Sequence, residues 1–150
     1  MTIDERAERV IPLPPDQVAQ YAMDWRHDAE WTQGIREAAL TREADGGGFG
    51  VGAEVTRTAY FLGKRIDYVL RVAEHEPARL LDMVSVAGPM PMHITYTFTP
   101  RPDGTLASIR VRGDASGYYR LAAPIMARKV RSSIGKDLRD LERKLLEPPS

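Results

Sequence analysis

The chain of 150 residues contains no cysteine. That absence excludes disulfides, thiolate nucleophiles and the commonest zinc ligands in one step, and it suits a reducing compartment. No stretch approaches the roughly 20 apolar residues a membrane span needs, so no span is expected. The first ten residues, MTIDERAERV, are charged and lack the apolar centre of a secretory leader. The expected location is therefore the cytoplasm. Net charge is also missing: 21 acidic side chains balance 21 basic ones. The balance is uneven, with 10 acids against 5 bases over residues 1–50 and 4 against 8 over 117–150. A nucleic-acid binder carries a stronger basic excess, and the basic tail reads as the solvated face of a helix, so no nucleic-acid partner is expected.

Catalytic signatures are as scarce. The three histidines, His27, His75 and His93, match no ligand spacing, and there is no HExxH. No metal and no cofactor are expected. A G-x-S-x-G elbow and a phosphate-binding glycine loop are both absent, since the glycines at 46–52 lack the lysine and precede a strand.

What is present is periodicity. Residues 4–13 alternate loosely and end in Pro12, Pro14 and Pro15, which predicts an opening strand stopped by prolines. Pro15 and Asp16 suit the first turn of a helix with Val18, Tyr21 and Ala22 on its buried stripe. A second short helical turn is predicted over Arg26–Thr32, between Trp25 and Trp31. Beyond the glycine loop, strands are predicted at 52–62, 65–73, 79–86, 92–99 and 105–113. Their turns are marked by Gly63-Lys64, Pro77, Gly88-Pro89 and Pro102-Asp103-Gly104.

Parity assigns faces to some of these strands. Ile66, Tyr68, Leu70 and Val72 share one side; so do Met92, Ile94, Tyr96 and Phe98, and then Ala107, Ile109 and Val111. For 52–62 either Val55, Arg57, Ala59 and Phe61 point inward, or Thr56, Thr58, Tyr60 and Leu62 do. For 79–86 either Asp82 is inward, or Leu81 and Met83 are. An inward Arg57 needs a partner, such as Asp82 or an anionic ligand. From about Gly117 the period changes. Leu121, Ile125, Val130, Ile134, Leu138, Leu141 and Leu145 form one stripe of a long helix.

Short connections favour an antiparallel meander. The expected layout is a single α+β domain over residues 1–150. About seven strands curl around the long C-terminal helix, and two short helices follow the first strand.

The order of local features is similar to that of a known superfamily. Pro14-Pro15-Asp16-Gln17-Val18, Asp24-Trp25-Arg26 through Glu30-Trp31, and Gly34 come first. Gly52, Glu76-Pro77, Gly88-Pro89-Met90-Pro91-Met92, Tyr96-x-Phe98, Gly104-Thr105 and Leu121-Ala122-Ala123-Pro124-Ile125-Met126 follow in sequence. Together they resemble the START/Bet v 1-like superfamily, and within it the SRPBCC proteins of bacteria labelled polyketide cyclase/dehydrase. The resemblance implies a helix-grip fold with a hydrophobic cavity between sheet and helix. It also implies a lipid or polyketide-like small hydrophobic ligand.

Residues expected to line that cavity are Trp25, Trp31, Arg57, Tyr68, Met83, Met92, Tyr96, Ile125 and Met126. The indoles suit an amphipathic pocket mouth, and the flexible thioethers suit an adaptable wall. The leading expectation is binding alone. The alternatives are a polyketide cyclase or dehydratase, marked by several convergent polar groups, and a ligand-responsive interaction module, marked by an exposed apolar patch. The irregular segment Pro124-Ile125-Met126 is expected to face the cavity and the helix from Ile134 onward to be plain core.

Overall fold

A computed structural model describes residues 2–32, 34–61, 63–114 and 123–148. Strand β1 (Thr2–Ile11) is followed by helix α1 (Pro15–Ala22), a 3-10 turn (Trp25–His27) and the one-turn helix α2 (Asp28–Trp31). Strands β2 (Ile35–Arg42), β3 (Glu54–Phe61), β4 (Lys64–Glu76), β5 (Leu80–Ala87), β6 (Met92–Arg101) and β7 (Gly104–Asp114) come next. Helix α3 (Ala123–Leu146) closes the order. The α+β helix-grip layout expected from the sequence is the one that forms. Strand β2 is the element that the hydrophobic pattern did not announce. Its residues read IREAALTR, and only Ile35 among them is buried, as befits a strand at the sheet edge.

All neighbours pair antiparallel in the order β1-β7-β6-β5-β4-β3-β2, so β1 returns beside the last strand and the first and second strands form the two edges. Register shifts interrupt β2–β3 at Ile35/Glu37 and Leu40/Arg42, and β4–β5 at Val69/Leu70 and Val72/Glu74. An extra residue on one strand bends it and raises its twist, which lets a seven-stranded sheet curl. Helix α3 lies in the hollow. Two ion pairs with β1 anchor it: Arg131 to Glu5 at 2.9 Å and Arg9 to Glu142 at 3.1 Å.

Val18, Ala19 and Ala22 of α1 belong to one buried cluster with Phe98, Ala107, Leu138 and Leu141. The β6–β7 turn presses on the end of β1. A Cβ at Gly104 (φ 138°) would overlap the Ile11 carbonyl and reach within 2.8 Å of Pro12 Cα. Only glycine fits both the backbone angle and the space. Thr105 beside it is fully buried and donates its hydroxyl to the Leu13 carbonyl at 2.6 Å, locking the same corner.

Candidate functional site

The strands resolve the two open registers. Val55, Arg57 and Ala59 are buried and face the helix, and Leu81 and Met83 take the inner positions on β5. Asp82 is therefore on the outer face. There its Oδ1 accepts from the Thr95 hydroxyl at 2.6 Å and lies 2.6 Å from His93 Nε2. The expected Arg57–Asp82 pairing is overturned, because neighbours on a strand point to opposite faces and Leu81 and Met83 occupy the core. His93 also accepts from Arg112 at its Nδ1, 3.0 Å away. The imidazole is thus part of a cross-strand network outside the sheet. His27 stacks on Tyr21 and His75 meets the edge of Phe49, so neither reaches the interior site.

Arg57 finds its partner in Asp28, at the first turn of α2. Both residues are 3% exposed. Arg57 Nε donates to Asp28 Oδ2 at 3.0 Å, and Nη2 lies 2.9 Å from the same oxygen. Nη2 also donates to the Tyr96 hydroxyl at 3.2 Å. Burial lifts the Asp28 carboxyl above its ordinary range, with Arg57 pulling the other way. Burial likewise opposes the Arg57 charge, but Asp28, Tyr96 and Tyr68 outweigh it and hold the guanidinium protonated.

Burial pushes the Tyr96 phenol up to about 12, with Arg57 working against it and the carboxyls of Asp28 and Asp137 adding to it. Tyr21 is also pushed to about 12, by burial and by Glu30. A phenol that ionises later in the folded state than its unfolded value near 10 stabilises the fold fully below that value. The contribution is lost as pH rises from about 10 through about 12. An ultraviolet phenolate titration is expected to show these two groups ionising only near pH 12, with alkaline unfolding over the same interval. Two early-ionising phenols in their place would contradict the burial of Tyr96 and the contact of Tyr21 with Glu30.

Next to this network, between the sheet and the first half of α3, lies a cavity of about 250 Å³. A single water needs roughly 10–15 Å³ by the same kind of measure, so there is room for a small organic molecule. Ile35, Ile66, Ile94, Ile109, Val111 and Met92 give it apolar walls from the sheet. From α3 it is lined by Met126, Val130, Ser133, Ile134 and Asp137, an (i, i+4, i+7, i+8, i+11) face. Arg57, Tyr68 and Tyr96 stand on the sheet side, and Thr32 also reaches it. The Thr32 hydroxyl is buried without a hydrogen-bond partner among the described residues. Tyr60, Lys64 and Pro89 are exposed and form an outer rim.

Of the residues expected on this wall, Arg57, Tyr68, Met92, Tyr96 and Met126 line the cavity. Four do not. Ile125 is 62% exposed. Its five-residue spacing to Val130 breaks the helical phase, whereas Met126 lies four before it and turns inward. Trp25 sits half-exposed in the 3-10 turn. Trp31 is buried with its ring 5.7 Å from Tyr96, packed behind the wall rather than forming it. Met83 is buried in the core on β5, opposite Ile94, and is not among the lining residues. Leu121 lies outside the described residues. Ile134 both lines the cavity and joins the core, so plain core begins a turn later than expected, at Leu138.

Asp28, Ser133 and Asp137 were missed. Asp137 had a readable signal, since it falls three after Ile134 and four before Leu141, a carboxyl set into an apolar stripe. Asp28 had none, because an aspartate opening a short helix is ordinarily solvated.

No described helix is long and apolar enough to cross a membrane. Among solved structures, protein TTHA0849 from Thermus thermophilus superposes with a TM-score of 0.82 at 19% identity, over 95% of this chain and 97% of that one. Zhui aromatase/cyclase from a Streptomyces species gives 0.80 at 14%, over 97% and 94%. A START superfamily protein from Mycobacterium smegmatis gives 0.78 at 11%, over 96% of each chain. At such identities the likeness establishes the fold. No curated protein sequence matches the chain. A family model described as "Polyketide cyclase / dehydrase and lipid transport" matches residues 2–146. The chain thus belongs to the family described as polyketide cyclase / dehydrase and lipid transport.

Proposed function

We propose that this protein binds a small, largely apolar molecule in the cavity between the sheet and α3. The observation that carries this reading is the cavity itself, walled by isoleucines and methionines with a few polar groups at set positions. That is the usual composition of a small-molecule site: apolar area supplies affinity and a few polar groups set orientation. Thr32 and Tyr96 are the orienting hydroxyls.

The test uses the neutral fluorescent probe N-phenyl-1-naphthylamine. Saturable binding is expected, and Met126→Trp should weaken it at least tenfold by filling the helix side of the cavity, with far-ultraviolet circular dichroism unchanged. Probe binding that Met126→Trp leaves intact would place the probe elsewhere and remove the support for an internal site.

A second reading, a cyclase or dehydratase, is favoured by one observation. Arg57 and Tyr96 on the sheet face the same cavity as Ser133 and Asp137 on the helix. An enolate formed as Asp137 takes a C–H proton could add to a carbonyl held by the Tyr96 O–H; the alkoxide would recover that proton, and loss of a second α-proton with the hydroxyl would release water. Holding the chain in a reactive fold would supply much of the acceleration. Loss of turnover in Tyr96→Phe with ligand affinity retained would distinguish this from binding alone.

A further inference from the structure

The outer face of the sheet carries a second concavity, on the opposite side from the interior cavity. It is a trough of about 230 Å³ that runs from β1 across β7, β6 and β5 to β4. Its composition follows from register. Arg6 on β1 lies opposite Arg110 on β7, and Arg110 opposite Thr95 on β6. Thr95 lies opposite Asp82 on β5, and Asp82 opposite Glu74 on β4. One rung of the ladder therefore reads Arg-Arg-Thr-Asp-Glu, positive at one end and negative at the other. On the neighbouring rung Ser108 faces Thr97, so short hydroxyl side chains floor the trough.

The inner charges of this row are already matched. Arg110 is held by Asp4 at 2.7 Å, and Asp82 accepts from Thr95 and meets His93. The two ends are not. Among the described residues neither Arg6 nor Glu74 has an ion pair or a side-chain hydrogen bond, and both are exposed. Like charges directly opposed across a strand pair repel, as Arg6 and Arg110 do. Both act on the Asp4 carboxylate together with Arg112, so one acid is shared by three guanidinium groups. Ser108 lines the trough at 8% exposure, and its hydroxyl has no hydrogen-bond partner among the described residues. A buried hydroxyl ordinarily finds one.

We propose that this trough is a second binding site, for an extended zwitterion such as an ω-amino acid or a short peptide. The carboxylate meets Arg6, the ammonium meets Glu74, and the polar middle lies on Ser108 and Thr97, whose hydroxyls donate and accept. Span sets the ligand class. Strands lie about 4.8 Å apart, so β1 and β4 are separated by roughly 19 Å at the backbone. Arg6 and Glu74 cannot bridge that by themselves, and neither can a ligand whose charges sit on adjacent carbons. Charge sets it too. A simple anion gains at Arg6 but is opposed by Asp82 and Glu74, and a simple cation meets the reverse. A zwitterion satisfies both ends and adds no net charge. The site is independent of the interior cavity and of the function proposed for it.

The test is a nuclear magnetic resonance titration of the isotopically labelled full chain at pH 7 and low salt, where exposed charges are least screened. The probes are 6-aminohexanoate and its two single-charge counterparts, hexanoate and hexylamine. The zwitterion is expected to shift the amides of Thr97 and Ser108 saturably in the millimolar range. It should bind at least threefold more tightly than either counterpart, a modest margin because exposed charge contacts are individually weak. Glu74→Gln should remove its advantage over hexanoate, and Arg6→Gln its advantage over hexylamine. Both side chains are exposed, so the fold should be retained. Met126→Trp, which fills the interior cavity, should leave the affinity unchanged. Hexanoate binding as tightly as 6-aminohexanoate would reduce the trough to an anion site and overturn the proposal. So would the absence of a saturable shift at Thr97 and Ser108, or its loss in Met126→Trp.

Discussion

Asp28→Ala is expected to cost about 3–5 kcal/mol of folding stability, the penalty for removing one partner of a buried ion pair and leaving the other unneutralised. For a chain of this size that corresponds to a fall in melting temperature of roughly 6–20 °C. The reason lies in the environment of Arg57. It is 3% exposed, its Nε and Nη2 are committed to Asp28, and Tyr96 offers only a neutral oxygen in compensation. Replacing the pair together, Asp28→Leu with Arg57→Met, should restore most of the loss or exceed the starting stability, because two apolar side chains of similar volume need no counter-charge. Thermal and urea denaturation of the two variants side by side read the contrast. A single variant within about 1 kcal/mol of the parent would mean that water reaches Arg57 and that the pair is not a buried one.

The second large effect belongs to α3. Leu141→Ala is expected to cost about 2–5 kcal/mol, the range for deleting a fully buried leucine and leaving a cavity that its neighbours fill only in part. Leu141 has no exposed surface and belongs with Leu138 to the buried core cluster. Ile125→Ala on the same helix, with 62% of the residue in solvent, should stay within about 0.5 kcal/mol. Urea unfolding at constant m-value measures both. Similar costs for the two would contradict the helical phase described here. Met126, one residue on and nearly a third of a turn around, is 1% exposed and lines the cavity.

These contrasts show where the sequence could be read and where it could not. The β6 pattern placed Ile94, Tyr96 and Phe98 on the core, and all three are buried. Alternation there is strict because one face meets the helix and the other meets water. In β3 one face carries Val55, Arg57, Ala59 and Phe61 and the other Thr56, Thr58 and Tyr60, so neither is clearly the more apolar, and a buried arginine ran against the ordinary expectation that charge stays outside. In α3 the stripe was legible as a whole, but its first turns were assigned by hydrophobicity alone. Ile125 is the more apolar residue and Met126 the buried one, since phase relative to Val130 outranks the transfer energy of either side chain. Trp25 and Trp31 illustrate the same limit: an indole's type predicts that it will be partly buried, not which cavity it will border.

By itself the sequence determined the class of fold: the α+β order, the antiparallel meander and the long closing helix. Each follows from periodicity and turn chemistry, which act within a few residues. The tertiary structure alone decided the site. Asp28 and Arg57 are 29 positions apart, Arg57 and Tyr96 are 39 apart, and Asp137 comes from the far end of the chain. Whether a charge is buried, and which opposite charge meets it, depends on how a bulged, curled sheet closes over one face of a helix. That is a sum over distant contacts, and no local pattern encodes it.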